Sequence, residues 1–347
     1  MPTTTPWQGP EVWTGEDLAR DESWLIRLSE DDIAEIGQAL RVSDTQGLKA
    51  EEISRETFPL PGLGPVFTAA QREVIRGRGF VVIRGLPVAD WPLEDLARAY
   101  WGIGRWFGDP VPQNGKGHLL GHIIDLRKDG GAAQRIYQTS RAQPFHSDSC
   151  DIVGLLCLRR SKTGGESAVA SAAAAHNWLL ERDPDALDRL YEAFHCDRWD
   201  EVPEGKEPYY QARIFNRDNG FLTCCGMDPD IRSAQRLAEV PALTTAQLAA
   251  LDVLQQACRA VALNMILQPG DIQLLHNHTV LHARGAFEDH DDPAMRRYLL
   301  RLWLSAPNGR PLPAFLGERW GNIEAGRLRG GIRVKGVRPN LSLEPEL

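Results

Sequence analysis

Residues 268–285 read Gln268-Pro269-Gly270-Asp271-Ile272-Gln273-Leu274-Leu275-His276-Asn277-His278-Thr279-Val280-Leu281-His282-Ala283-Arg284-Gly285. The Pro-Gly-Asp punctuation turns the chain. The apolar run after it, Ile272–His276, has the length of a buried strand. Three histidines then fall within seven residues. If the strand continues, His276 and His278 share a face, because side chains alternate along extended backbone. His282 then needs a loop to bring it round.

Outward from this segment, β-branched or apolar runs at Phe80–Arg84, Ile152–Leu158, Ser167–Ser171 and Arg297–Leu304 read as further strands. The last alternates, with Tyr298, Leu300, Leu302 and Leu304 on one face and Arg297, Leu299, Arg301 and Trp303 on the other. Helices are expected over 29–40, opened by a capping box at Ser29, and over 69–76, ended by Gly77 and Gly79. Two more are expected over 172–195, where Asp183 and Pro184 start a stripe through Leu187, Leu190, Tyr191 and Phe194, and over 245–266, opened by Thr244 and Gln247. A Pro/Gly linker occupies 58–65, and 85–145 reads as short strands and loops. Helices in blocks between strands favour a mainly β sandwich or barrel with helical insertions over a doubly wound parallel sheet. The expected organisation is one catalytic domain: an N-terminal helical extension over 1–65, a β domain over 66–310 with a helical insert at 172–266, and a tail over 311–347 packing on it.

With 42% hydrophobic and 25% charged residues in 347, the chain is of globular type and not disordered. The net charge of −8 speaks against a basic face for nucleic acid. No apolar run approaches the length of a membrane span, and the first residues lack the basic and apolar regions of a secretion signal. Six cysteines without framework spacing suggest reduced thiols and a cytoplasmic setting, and the adjacent Cys224-Cys225 pair suggests no mechanism.

Two groupings can carry chemistry. In Phe145-His146-Ser147-Asp148, positions i and i+2 of a strand would aim an imidazole and a carboxylate at one spot, a donor set suited to Fe(II). Alternatively, His276, His278 and His282 would suit a zinc hydrolase. Arg297 and Arg301 place two fixed cations on the inward face of their strand, and each then needs an anionic partner, from the protein or from a ligand. The irregular stretch 200–226 reads as a lid or as a surface excursion.

Taken together, His146-x-Asp148, Gly164-Gly165-Glu166-Ser167, Asn277-x4-His282 with Arg284 two residues on, and then Arg297 and Arg301 resemble, in order and approximate spacing, the taurine-dioxygenase and clavaminate-synthase-like branch of the Fe(II)/2-oxoglutarate dioxygenases. The resemblance spans Gly79 to Leu304. It implies a double-stranded β-helix (jelly roll), with Fe(II) held by His146, Asp148 and His282. It implies 2-oxoglutarate as cosubstrate, held by Ser167 and Arg297, and O2 as the oxidant. It implies Arg301 on an anionic substrate, with Tyr137 and Gln138 along the pocket wall and with Asn277 and Arg284 behind the ligands. The 15 residues from His282 to Arg297 exceed the spacing of some members, so Arg296 stays open as the cosubstrate arginine; strand phase favours Arg297. Having Asp148 at the metal, and not a small residue, argues against a halogenase. The implied reaction is hydroxylation of a small carboxylate, amino acid or sulfonate, with desaturation or cyclisation open on the same platform. A homo-oligomer is compatible with the sequence. The competing readings are the zinc hydrolase and a non-catalytic jelly-roll binding protein.

Overall fold

The computed structural model describes residues 5–127 and 136–345. Eleven strands build its frame: β1 (Leu25–Arg27), β2 (Phe80–Arg84), β3 (Asp109–Pro110), β4 (Leu120–Ile123), β5 (Gln143–His146), β6 (Ile152–Arg159), β7 (Ser167–Ser171), β8 (Leu263–Met265), β9 (Ile272–His276), β10 (Val280–Arg284) and β11 (Tyr298–Ser305). The major sheet runs β1-β2-β9-β6-β11, with β3 and β4 both paired to β11; the minor sheet runs β8-β7-β10-β5. The two face each other as the jelly roll that the sequence suggests.

Period-two alternation explains the layering. Val81 and Ile83 of β2, Ile152 and Leu156 of β6, and Tyr298, Leu300, Leu302 and Leu304 of β11 all point outward. There they meet helices α1 (Glu30–Thr45), α2 (Leu63–Arg76) and α3 (Leu93–Gly104). The outward residues of the minor sheet, Phe145, Ala168, Ala170 and Leu281, meet α4 (Ala172–Arg182), α5 (Pro184–Leu190) and α7 (Thr245–Val261), beside which α6 (Asp228–Ala234) also packs. Between the sheets only a modest apolar cluster remains, including Phe80, Val153, Val169, Leu275, Val280 and Trp303. A second small cluster, Ile123, Cys157, Leu267 and Leu299, lies there too, and beside these apolar groups the interior holds the polar residues where the chemistry sits.

Several expected boundaries move. Helix α2 starts at Leu63, inside the expected linker, because Pro65 lies in its first turn, where a missing N–H costs nothing. Helix α3 falls in a stretch expected to be strands and loops; Glu94 and Asp95 in its first turn and its buried Leu96, Tyr100 and Ile103 make it an ordinary amphipathic helix. The helical block 172–195 is two helices broken at Asp183, which caps the second, and Phe194 belongs to a strand, Phe194–Asp197. Helix α7 ends at Val261, not at 266, because Leu263 and Met265 pair with Val169 and Ser167 to extend the minor sheet. The N-terminal region is not helical throughout: β1 joins the major sheet parallel to β2. The stretch 200–226 is more regular than expected, holding strands Tyr209–Ala212, Phe215–Asp218 and Phe221–Cys224. All six cysteines are buried free thiols. Among the described residues no helix is long and apolar enough to cross a membrane.

Candidate active site

Strands β5 and β10 run antiparallel with His146 directly opposite His282. Their rings lie 4.1 Å apart between centroids. No loop is needed to bring His282 round: cross-strand pairing does it. Strand β5 ends at His146, so Asp148 is placed by a loop and not by strand alternation. That loop is pinned. The Asp148 N–H donates to Asn277 Oδ1 at 3.0 Å, and Ser147 exchanges hydrogen bonds with Gly226. A side chain at position 226 would collide with the backbone at Ser147, so the close approach requires glycine. The Asp148 oxygens lie 3.9 Å from His146 Nε2 and 4.0 Å from His282 Nε2. Among the described residues, this is the group whose donor atoms converge, all within 4.8 Å of one another.

The protonation states suit a cation. His146 Nδ1 lies 2.9 Å from the Pro144 carbonyl. A carbonyl can only accept, so Nδ1 carries the proton and Nε2 presents a lone pair, which takes a hydrogen bond from Gln143 Nε2 at 2.8 Å. Burial lowers the His146 pKa, and burial together with the neighbouring His146 ring lowers that of His282 to about 3. Burial alone would raise the Asp148 pKa, but Arg301 and the two imidazoles hold it below the usual carboxylate value. Trp303 Nε1 donates to Asp148 at 2.8 Å, and Arg301 Nη1 approaches it at 3.3 Å. Gln113 fixes this arginine in turn, accepting from Arg301 Nε at 2.7 Å. Arg301 thus bridges an inner carboxylate, one of the two partners its position demanded, while also facing the larger cavity.

Behind His282 lies a small pocket lined by Ser167, Arg284 and Arg297. Arg297 is 7% exposed, and its Nη1 has no partner among the described residues; the buried Nε of Arg284 has none either. Burial pulls both guanidinium pKa values down to about 10, with the two charges also acting on each other at Arg284. Both stay cationic at neutral pH, and neither guanidinium has a carboxylate within 4 Å among the described residues, although the Arg297 backbone N–H donates to Asp289 Oδ1 at 2.7 Å. The Gly164-Gly165 turn makes room for them. Both glycines have positive φ, and a Cβ at Gly165 would stand 3.3 Å from Arg297 Nε. Arg284 is therefore more than a support behind the ligands: it donates to the Thr139 carbonyl at 2.8 Å and also forms the pocket wall. Arg296 points elsewhere, to the Asp291 carbonyl.

On the other side of the His146–Asp148 loop opens a cavity of about 620 Å³. Tyr137 and Gln138 line it, and the Arg301 guanidinium lies over the Tyr137 ring, 4.9 Å from its centroid. The other two histidines are not there. His278 pairs with Asp151 at 3.0 Å, and His276 lies against Thr279. Both belong to a separate buried cluster with Arg329, so the three-histidine zinc arrangement does not form. Sequence reasoning missed Gln113 and Arg319, which lie far along the chain from the motifs, and Gln143, which stands only three residues before His146. Trp303 was placed on the inward face but its bond to Asp148 was not foreseen.

The sequence matches the family model described as taurine catabolism dioxygenase TauD, TfdA family, over residues 43–303. It is 33% identical over 326 residues to FR-33289 synthase of Streptomyces rubellomurinus (strain ATCC 31215), covering 91% of this chain and 95% of that protein. It is 30% identical over 302 residues to the taurine hydroxylase-like protein SAT17 of Stachybotrys chartarum, covering 84% and 77%. By structure it is similar to an asparagine oxygenase in complex with Fe(II), hydroxyasparagine and succinate (TM-score 0.64, 18% identity, 81% and 93% covered). It is similar also to the non-haem iron oxygenase OrfP in complex with Fe and alpha-ketoglutaric acid (TM-score 0.59, 14% identity, 81% and 94% covered), a likeness of fold. Converging imidazoles and carboxylate, a doubly cationic pocket beside them and these matches agree: the chain belongs to the taurine catabolism dioxygenase TauD, TfdA family and is an Fe(II)/2-oxoglutarate dioxygenase.

Proposed function

We propose that His146, Asp148 and His282 hold the iron, that Arg297, Arg284 and Ser167 hold 2-oxoglutarate, and that the large cavity takes a small anionic substrate for hydroxylation. The residues fit those groups. Two neutral nitrogens and one carboxylate on one face of an ion form the donor set of non-haem iron oxygenases and leave the opposite positions open. The partnerless nitrogens of Arg297 and Arg284 are what a buried carboxylate would satisfy. When bound, the iron and 2-oxoglutarate supply, with O2, the oxidising power that yields succinate, carbon dioxide and an oxidised C–H bond. Desaturation and cyclisation use the same platform.

The chain's own part is positioning. Arg301 and Trp303 keep the Asp148 carboxylate anionic and aimed. Arg297 and Arg284 offer donors in a small, largely buried pocket, where each charge-assisted bond is strong. The cavity wall holds the target carbon near the ligands. The names asparagine oxygenase and taurine hydroxylase-like protein, and the hydroxyarginine bound to OrfP, support a substrate of amino-acid size. The six free thiols support a cytoplasmic setting.

The observation that carries this reading is the juxtaposition of the His146–Asp148–His282 cluster with two buried arginines whose guanidinium groups have no carboxylate within 4 Å among the described residues. Screening carboxylates, amino acids and sulfonates for stimulated succinate formation tests it. At least one class should stimulate turnover in the wild type and fail to do so in His282→Ala. Stimulation that persists in His282→Ala would contradict it.

A further inference from the structure

We propose that the substrate is a zwitterion, its anionic group held by Arg319 and its ammonium by Asp230. This rests on the large cavity being the substrate chamber and adds which charges the substrate carries. Arg319 comes from the C-terminal segment, beyond the 43–303 stretch matched by the family.

The argument starts from pairing. Several carboxylates buried elsewhere in this protein have guanidinium partners: Asp151 with Arg329, Asp197 with Arg236, Asp228 with Arg232. Arg319 and Asp230 line the same chamber, yet neither has an ionic partner within 4 Å among the described residues. Tyr210 touches both. The Arg319 guanidinium stacks on the Tyr210 ring, 4.9 Å from its centroid, while the Tyr210 hydroxyl donates to Asp230 at 3.3 Å. Arg319 otherwise donates only to Ser149 Oγ at 3.3 Å, and its buried Nε has no partner. The second donor to Asp230 is the neutral indole of Trp199, at 2.7 Å. A cation and an anion that line one chamber without a direct ion pair between them are complementary to a ligand bearing both charges, although Asp230 and Glu201, which also lines the chamber, act on Arg319 through space. Arg301 is less available to a substrate anion, because its Nε is committed to Gln113 and its Nη1 to Asp148.

The test uses the full chain loaded anaerobically with Fe(II) and 2-oxoglutarate, which should develop a weak visible charge-transfer band. Glycine, β-alanine and γ-aminobutyrate are the zwitterionic probes; butyrate and butylamine carry one charge each. The best zwitterion should perturb the band saturably at concentrations about tenfold or more below either single-charge probe, one charge-assisted contact being worth roughly that factor. Arg319→Met, which keeps the stem on Tyr210, should abolish the advantage over butylamine, and Arg319→Lys should restore part of it. Asp230→Asn, whose amide oxygen can still accept from Trp199 while its amide nitrogen donates to the Tyr210 hydroxyl, should abolish the advantage over butyrate. Equal response to butyrate or butylamine, no saturable response to any zwitterion, or an unchanged order in both variants would overturn the proposal. Absence of the band itself would instead bring down the iron-site reading, and this proposal with it.

Discussion

The protein contains two buried histidine pairs, each with an aspartate, and they behave as opposites. His146 and His282 lie 4.1 Å apart beside Asp148; His276 and His278 lie 5.1 Å apart beside Asp151. In the second cluster the aspartate is saturated. Arg329 Nε approaches Asp151 Oδ2 at 2.9 Å, His278 bonds to Oδ1, and the Ala306 N–H donates to Oδ2 at 3.0 Å. In the first, Asp148 has a looser arginine at 3.3 Å and faces a cavity. The same residue types therefore make an internal strut in one place and an ion site in the other. What separates them is whether the carboxylate's partners are supplied by the fold.

The largest effect that can break this comparison is at the open cluster. Asp148→Ala and His282→Ala should lower activity to background; His282→Ala should keep the native far-ultraviolet circular dichroism, while Asp148→Ala, which also takes the carboxylate from buried Arg301, should lower stability as well. The closed cluster should show the reverse. Asp151→Asn strips the charge partner from a fully buried guanidinium and should cost about 3–5 kcal/mol in urea unfolding. Asp151→Asn combined with Arg329→Met should recover part of that loss. Next, Arg297→Gln should raise the KM for 2-oxoglutarate by roughly 10–100-fold, the worth of a charge-assisted bond in a buried pocket, without unfolding the chain. Trp303→Phe, which removes one donor to Asp148, should weaken iron binding by about tenfold, the lower end for a residue that orients a ligand.

The smallest effect at neutral pH is on stability. Burial lowers the pKa of His176 to about 4 and that of His282 to about 3, against an ordinary value of 6.5. The unfolded chain therefore binds more protons than the folded one below about pH 6.5, so stability falls as pH drops from there toward 4 and is flat above it. Melting temperatures of the iron-free protein across that window should show the decline. Added iron, which competes with protons at His282 but not at His276, should offset part of it.

The strands were legible because both faces of each sheet are covered in a consistent period of two, as in Tyr298–Ser305. Helix α3 was obscured by the Pro and Gly residues flanking it, although its spacing of Leu96, Tyr100 and Ile103 was present. At the site, the local argument for His146 and Asp148 on one strand was mistaken in detail, since β5 stops between them. The resemblance identified the three converging residues where spacing alone left the other histidines equally eligible. The residues that escaped, Gln113, Gln143 and Arg319, have no local pattern. Gln113 and Arg319 matter through contacts to Arg301 and the chamber that cross long stretches of chain, whereas Gln143 acts locally, three residues before His146 on the same strand.

Anaerobic titration of the iron-free chain with Fe(II) in the presence of 2-oxoglutarate, followed by the visible charge-transfer band, tests the central assignment most directly. The band should saturate at one iron per chain in the wild type and in His276→Gln, and be absent from His146→Ala, Asp148→Ala and His282→Ala. A full band in His282→Ala, or its loss in a folded His276→Gln, would contradict the assignment.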